Sequence, residues 1–403
     1  MPVVTTPDVG RSGPRVQSVD VLRGIVMIIM ALDHIRDFFH YESQLFSPED
    51  LTKTTAVLFF TRWITHFCAP VFVFLAGTGS YLATRRGMSE GAVSRFLLTR
   101  GLWLVVVEMT LVLFGATFNL SYQFVIWQVI WAIGWSMVAL SVLVYLPWPA
   151  LLVFSVAMIA GHNALDGIRS AQLGSLGWIW KILHEGFVPI ALPGGTTALV
   201  VYPLIPWIGV MSAGYCFGRI FDLSPNARRA LMLRLGLSMT CAFVVLRAIN
   251  GYGDPSPWSE QSTPLMTVLS FLRASKYPPS LVFLLMTLGP SIFALGLLER
   301  VRAGNGNPLI VFGRVPLFYY VVHWYALHLV AIALAWMRYG RIDFMFGLPP
   351  ALSFTPSAYP PGYGYHIWLV YLIWAGIVGA LYPLCRWFGG VKARKRSPLL
   401  SYL

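Results

Sequence analysis

The stretch SVDVLRGIVMIIMALDHIRDFFH, Ser18 to His40, is apolar enough to enter a bilayer, yet its second half carries Asp33, His34, Arg36, Asp37 and His40. Ionisable groups in hydrocarbon are costly unless they pair or face a wet cavity, so a segment that keeps them marks a candidate site. The chemistry on offer is proton transfer. An imidazole flanked by carboxylates can be fixed in one tautomer and made a stronger base. Arg23 and His34 are eleven positions apart. At 100° and 1.5 Å per residue, that offset returns to within about 20° of one helix face and spans about 16 Å. A cation at one mouth and a base deep in the other half therefore share a stripe. Asp33 and Asp37 are an i,i+4 pair beside His34, and either can orient its ring. Arg36 and His40 are read as groups of the outer interface. Asp20 is read as an ion-pair partner of Arg23 in the first turn, where an acidic group suits the helix dipole.

Two further apolar stretches add imidazoles. TRWITHFCAPVFVFLAGTGSYL runs back antiparallel and brings His66 to about the depth of His34, so these two can share a site. Its Ala76, Gly77, Gly79 and Ser80 predict close helix packing. GRVPLFYYVVHWYALHLVAIALAW holds His323 near its middle with Tyr319 one turn away, whereas His328 lies about 140° round and reads as structural. His34, His66 and His323 lack the spacing of a zinc or haem site, so no metal is expected. Pro203, Pro206, Pro278 and Pro279 free backbone groups that protein or water must satisfy, which predicts cavity walls or entry kinks. Lys276, next to the last pair, either neutralises an anion or snorkels to the interface.

The elements that must position these groups follow from composition. The chain has 403 residues, 57% hydrophobic and only 11% charged, too little charge to cover a soluble surface of that size. Apolar runs of about 20 residues suit helices crossing roughly 30 Å of hydrocarbon. The fold class expected is all-α: a polytopic integral-membrane bundle of about ten helices, at 20–40, 56–83, 101–118, 124–146, 149–166, 198–218, 235–250, 278–298, 315–337 and 366–386. The net charge of +13 is dispersed in short basic clusters between spans, including Arg85 and Arg86, Arg95 and Arg100, Arg228, Arg229 and Arg234, and Lys392 to Arg396. That pattern predicts cytoplasmic loops rather than a nucleic-acid surface, with membrane lipid or an anionic ligand as partners. Both termini are then cytoplasmic, with 1–19 an N-terminal segment, 20–386 one membrane domain and 387–403 a basic tail. No small-residue cleavage site follows Arg11 and Arg15, so the first span is expected to be retained. The four cysteines sit in apolar spans without paired spacing and read as free thiols.

SVDVLRGIVMIIMALDHIRDFF, FCAPVFVFLAGTG, WQVIWAIGWSM, YPLIPWIGVMSAGYCFGR, KYPPSLVFLLMTLG and FGRVPLFYYVVHWYALH together resemble the bacterial membrane family related to heparan-α-glucosaminide N-acetyltransferase. The Arg23–His34 spacing is also similar to the start of the acyltransferase-3 family, where that histidine is thought catalytic. The resemblance implies acetyl-CoA as co-substrate on the cytoplasmic side and a hydroxyl or amine acceptor, often a sugar, on the other. In the lysosomal enzymes the residue matching His34 looks like Asn. Their catalytic histidine would fall near Leu45 here, with His40 the nearest imidazole. The expectation is a multi-pass acyltransferase of the inner (cytoplasmic) membrane. In it His34, with Asp33, Asp37, His66 and His323, supplies the catalytic groups, and Arg23, Lys276 and Tyr319 hold the donor. A homodimer stays open. The rival reading is a proton-coupled transporter using the same charged helix as a relay.

Overall fold

The computed structural model describes residues 16–352 and 359–395. The start of the N-terminal segment, part of the Pro- and Gly-rich stretch near 355, and the tail from Arg396 onward lie outside the described residues. Eight helical segments among the described residues are long and apolar enough to span a membrane. Two more complete the ten expected crossings. One is α1 (Gln17–Phe39), whose charges conceal its length. The other is α6 (Val129–Leu143), about 22 Å of helix continued by the extended strand β1 (Phe124–Trp127).

The crossings alternate in direction. After α1 descends from its Arg23 end to its His34 end, α2 (Ala56–Thr65) and α3 (Cys68–Thr84) return as one span broken near His66. α4 (Glu90–Val107), a π-helical turn at Glu108–Val112 and α5 (Leu113–Thr117) form the next. α6 and α7 (Trp148–Gly161) follow, then the short α8 (Gly177–Leu183) in a long loop. α9 (Leu204–Phe217), α10 (Pro225–Ile249), the short α11 (Pro264–Leu272) and α12 (Leu281–Leu298) continue the bundle. The short α13 (Pro308–Arg314) leads into α14 (Pro316–Tyr339), and α15 (Ile367–Arg394) closes the chain.

Five boundaries differ from the sequence reading, each for a physical reason. The starts of the fourth and sixth spans are strands, not helix. β1 pairs in parallel with β3 (Thr197–Val200), which pairs antiparallel with β2 (Pro189–Ala191). A sheet satisfies its backbone groups between strands as a helix does within itself, and β3 is its buried centre, with Ala198 and Val200 fully buried. Helix α4 begins at Glu90, where the Ser89 hydroxyl accepts from the Ala92 N–H at 3.3 Å, and α10 begins at Pro225, a favoured first-turn residue. Arg95, Arg100, Arg228, Arg229 and Arg234 therefore lie on helices rather than in loops. Helix α15 likewise runs through the first part of the expected tail, ending with Lys392 and Arg394 against its own carbonyl end.

The close packing expected at Gly77 is present. A Cβ there would stand 2.0 Å from the Met211 carbonyl oxygen of α9, and one at Gly214 would stand 2.1 Å from that of Phe74, whereas Gly79 faces open space. Gly77→Ala is thus expected to force α3 and α9 apart and destabilise by about 1–3 kcal/mol. Gly79→Ala should leave the melting temperature in detergent unchanged or raise it. Equal melting of the two variants would count against this contact.

Candidate functional site

The C-terminal half of α1 holds the densest set of buried polar groups in contact. Asp33 Oδ2 accepts from Arg62 Nη1 of α2 at 2.6 Å, and Asp33 Oδ1 lies 3.0 Å from Arg36 Nη2. The same Arg36 nitrogen reaches Asp37 Oδ1 at 2.5 Å. Arg62 also lies 3.8 Å from Glu49 in the loop after α1, and Glu49 lies 3.6 Å from His66 Nε2. Arg36 is 3% exposed, so it belongs to this network and not to the interface. Both aspartates are committed to arginines, so neither orients His34.

His323 does so instead. His34 Nδ1 and His323 Nε2 are 2.7 Å apart, and His323 Nδ1 bonds the Tyr320 carbonyl oxygen. A carbonyl only accepts, so in neutral rings His323 carries its proton on Nδ1 and presents Nε2 as an acceptor. His34 must then donate from Nδ1, which leaves the lone pair on its Nε2. The ring is further fixed by stacking on Trp324, with centroids 4.1 Å apart. The orientation of the His34 ring is thereby set by a group 289 residues away in sequence.

His34 stands between two cavities. A cavity of about 440 Å³ is lined by Asp33, His34, Arg36, Asp37, Arg62, Tyr202, Tyr277 and Trp324, and by the loop Glu42 to Glu49. That size falls within the range of small-molecule sites. A second, of about 20 Å³, lies among Met30, Asp33, His34, Cys68, Tyr202 and Lys276. Lys276 is only 5% exposed, so it does not snorkel. Tyr202 and Tyr277 line the large cavity, whereas the neighbouring Pro203, Pro206, Pro278 and Pro279 are not among its lining residues. Asp33, Asp37 and Glu49 face Arg36, Arg62 and Lys276, a formally neutral set of six, and Glu42 adds one further carboxylate to the cavity wall beside His40.

The other expected residues are placed as follows. His66 is buried at the break between α2 and α3, beside Glu49 and 5.3 Å from the Phe283 ring centroid; it forms no hydrogen-bonded pair with His34. Tyr319 is fully buried behind His323, with ring centroids 5.7 Å apart, rather than lining the large cavity. His40 lines that cavity at the end of α1, 4.0 Å from Glu42. His328 bonds the Gly115 and Met345 carbonyl oxygens and is structural. Arg23 lies far along α1, 3.6 Å from Asp20 as expected and 3.2 Å from the Gly313 carbonyl oxygen. Between Arg23 and His34 the shared stripe holds Met27 and Met30, 2% and 4% exposed. Arg62 and Trp324 were not singled out from the sequence. Arg62 could have been, since it is an arginine inside an apolar run.

The fold defines a multi-pass membrane protein in which an oriented imidazole lines a cavity of about 440 Å³. The family model for heparan-alpha-glucosaminide N-acetyltransferase, catalytic, matches residues 15–246, and the chain belongs to that family of membrane transferases. A search of curated proteins finds no match.

Proposed function

We propose that the protein transfers an acetyl or similar acyl group from acyl-CoA to a hydroxyl or amine acceptor, with His34 Nε2 as the general base. The observation that carries this reading is the Tyr320–His323–His34 chain, which leaves a lone pair on Nε2 of a ring that lines the large cavity. The acceptor O–H or N–H gives its proton to His34 Nε2 as its heteroatom attacks the thioester carbonyl carbon. The tetrahedral intermediate collapses, the C–S bond breaks, and the departing CoA sulfur takes the proton back from the imidazolium. The Lys276 ammonium, beside His34 at the smaller cavity, suits the oxyanion that forms. An acceptor rich in hydroxyls, such as a sugar, suits a wall that interleaves charged groups with Trp324, Tyr202 and Tyr277.

The donor arrives from the Arg23 end, which the basic residues make cytoplasmic, and the acceptor from the other face of the cytoplasmic membrane. Arg23 holds the phosphates there, and the acyl arm follows the stripe to His34 as Met27 and Met30, both flexible side chains, turn aside. Met30→Trp is expected to block that path and lower acyl transfer by an order of magnitude or more, with no effect on acceptor binding. An undiminished rate would mean the donor takes another route.

His323→Ala is expected to release the His34 tautomer and lower kcat by about 10²-fold or more with little change in KM. His323→Gln, whose side-chain oxygen still accepts, should recover part of the loss. The whole reading is tested by incubating the purified chain with labelled acetyl-CoA and a panel of amino sugars and polyols. Acceptor-dependent release of CoA supports it. Gradient-driven flux in vesicles without CoA release would instead favour the transporter reading.

A further inference from the structure

A second cluster stands apart from this site, in the loop that joins α7 to α9. His162 and Asp166 lie at the end of α7 and His184 at the end of α8, with one ligand atom from each within 4.8 Å of the others. His162 Nδ1 is 3.4 Å from His184 Nε2, and that nitrogen is 3.5 Å from Asp166 Oδ1. Tetrahedral coordination with bonds of about 2.0–2.1 Å has edges of roughly 3.3–3.4 Å, so both separations are close to ready-made edges. The two histidines are each 2% exposed, and such a concentration of imidazole and carboxylate needs a reason.

We propose that His162, Asp166 and His184 bind one divalent metal ion, Zn²⁺ fitting best. Two imidazole nitrogens and one carboxylate oxygen are too nitrogen-rich for Ca²⁺ or Mg²⁺ and lack the sulfur that Cu⁺ selects. Three protein ligands leave a fourth position for water. The surroundings already orient them. Asn163 Nδ2 donates to Asp166 Oδ2 at 2.9 Å, which leaves Oδ1 for the metal. The Trp180 ring stacks on His184 with centroids 5.1 Å apart. Outer hydrogen bonds of this kind hold metal ligands in register. His184 Nε2 also lies 2.9 Å from the His162 carbonyl oxygen, and on metal uptake the neutral ring carries its proton on Nδ1 instead, which frees the Nε2 lone pair for the ion. The Asn163 oxygen accepts from the Leu281 N–H at 2.8 Å, so the ion would clamp the ends of α7 and α8 against the start of α12. The ion would thereby tie the long loop to the bundle.

The test uses the untagged full chain in detergent, stripped with EDTA and titrated with Co²⁺. The expected result is about one Co²⁺ per chain, with the intense visible bands of a four-coordinate site, displaced by Zn²⁺. Zn²⁺ should raise the melting temperature of the stripped chain, since an ion that binds only the folded state stabilises it. Asp166→Asn keeps the size and much of the hydrogen bonding of the native residue, and should weaken Co²⁺ binding roughly tenfold or more. His184→Gln should remove the bands. No Co²⁺ uptake by the native chain, or equal uptake by a folded Asp166→Asn chain, overturns the assignment.

Discussion

His34→Ala is expected to lower acyl transfer by about 10²–10⁴-fold, the usual worth of a positioned general base, while leaving the protein folded. The fold survives because His34 is half-buried at a cavity wall and carries no buried salt bridge. Its removal enlarges space already present and forfeits one hydrogen bond to His323 and one stack on Trp324, together about 1–3 kcal/mol. His34→Gln should be nearly as inactive, because an amide cannot accept the proton. Added imidazole should restore part of the alanine variant's rate, since the vacated volume adjoins the large cavity. Rapid quenching with labelled acetyl-CoA separates two routes: label retained on the native chain and lost in His34→Ala signals an acyl-histidine, and its absence signals direct transfer. His40→Ala is the internal control. His40 lines the same cavity but has no comparable relay behind it, so its loss should change the rate by only a few fold. An active His34→Ala beside an inactive His40→Ala would move the base to His40.

The ten crossings were legible because apolar length is a one-dimensional property of the chain, and a helix is the simplest way for each such run to satisfy its backbone. The same rule misread TALVV and FVIW, where two span ends in different parts of the chain meet and pair as strands. Periodicity within one segment carries no sign of that partnership. His34, Asp33 and Asp37 could be found because charge in an apolar run is conspicuous. Their partners could not be assigned, because α1 meets α2 and α14 only in the folded bundle. The carboxylates therefore went to arginines, and the histidine went to His323. Arg62 was as conspicuous as Asp33 but stood in a segment read for its histidine. His162 stands at the end of an expected span, but His184 belongs to a loop whose path the sequence does not constrain, so their meeting could not be read.

Arg62→Leu is expected to destabilise the protein by about 3–5 kcal/mol, the scale for removing one partner of a buried ion pair. Arg62 and Asp33 expose only 11% and 12% of their side chains, so water cannot take over. The neutral set around Asp33 would pass to one excess negative charge. Arg36 cannot compensate fully, since its guanidinium already serves Asp37 as well as Asp33, and Glu49 would lose its nearest arginine too. The double variant Arg62→Leu, Asp33→Asn restores neutrality, and should recover much of the lost stability even though two polar groups are gone. Such non-additivity is what direct contact predicts. Thermal melting of the four proteins of this cycle in one detergent is the measurement. Additive losses would mean that the two side chains do not share their charge in the membrane. Coupled losses would leave a sharper consequence for activity: the double variant, though stable, lacks the arginine that reaches Glu49 of the 42–49 loop near His34. Its acceptor KM should rise while the rate at saturating acceptor stays closer to that of the native chain.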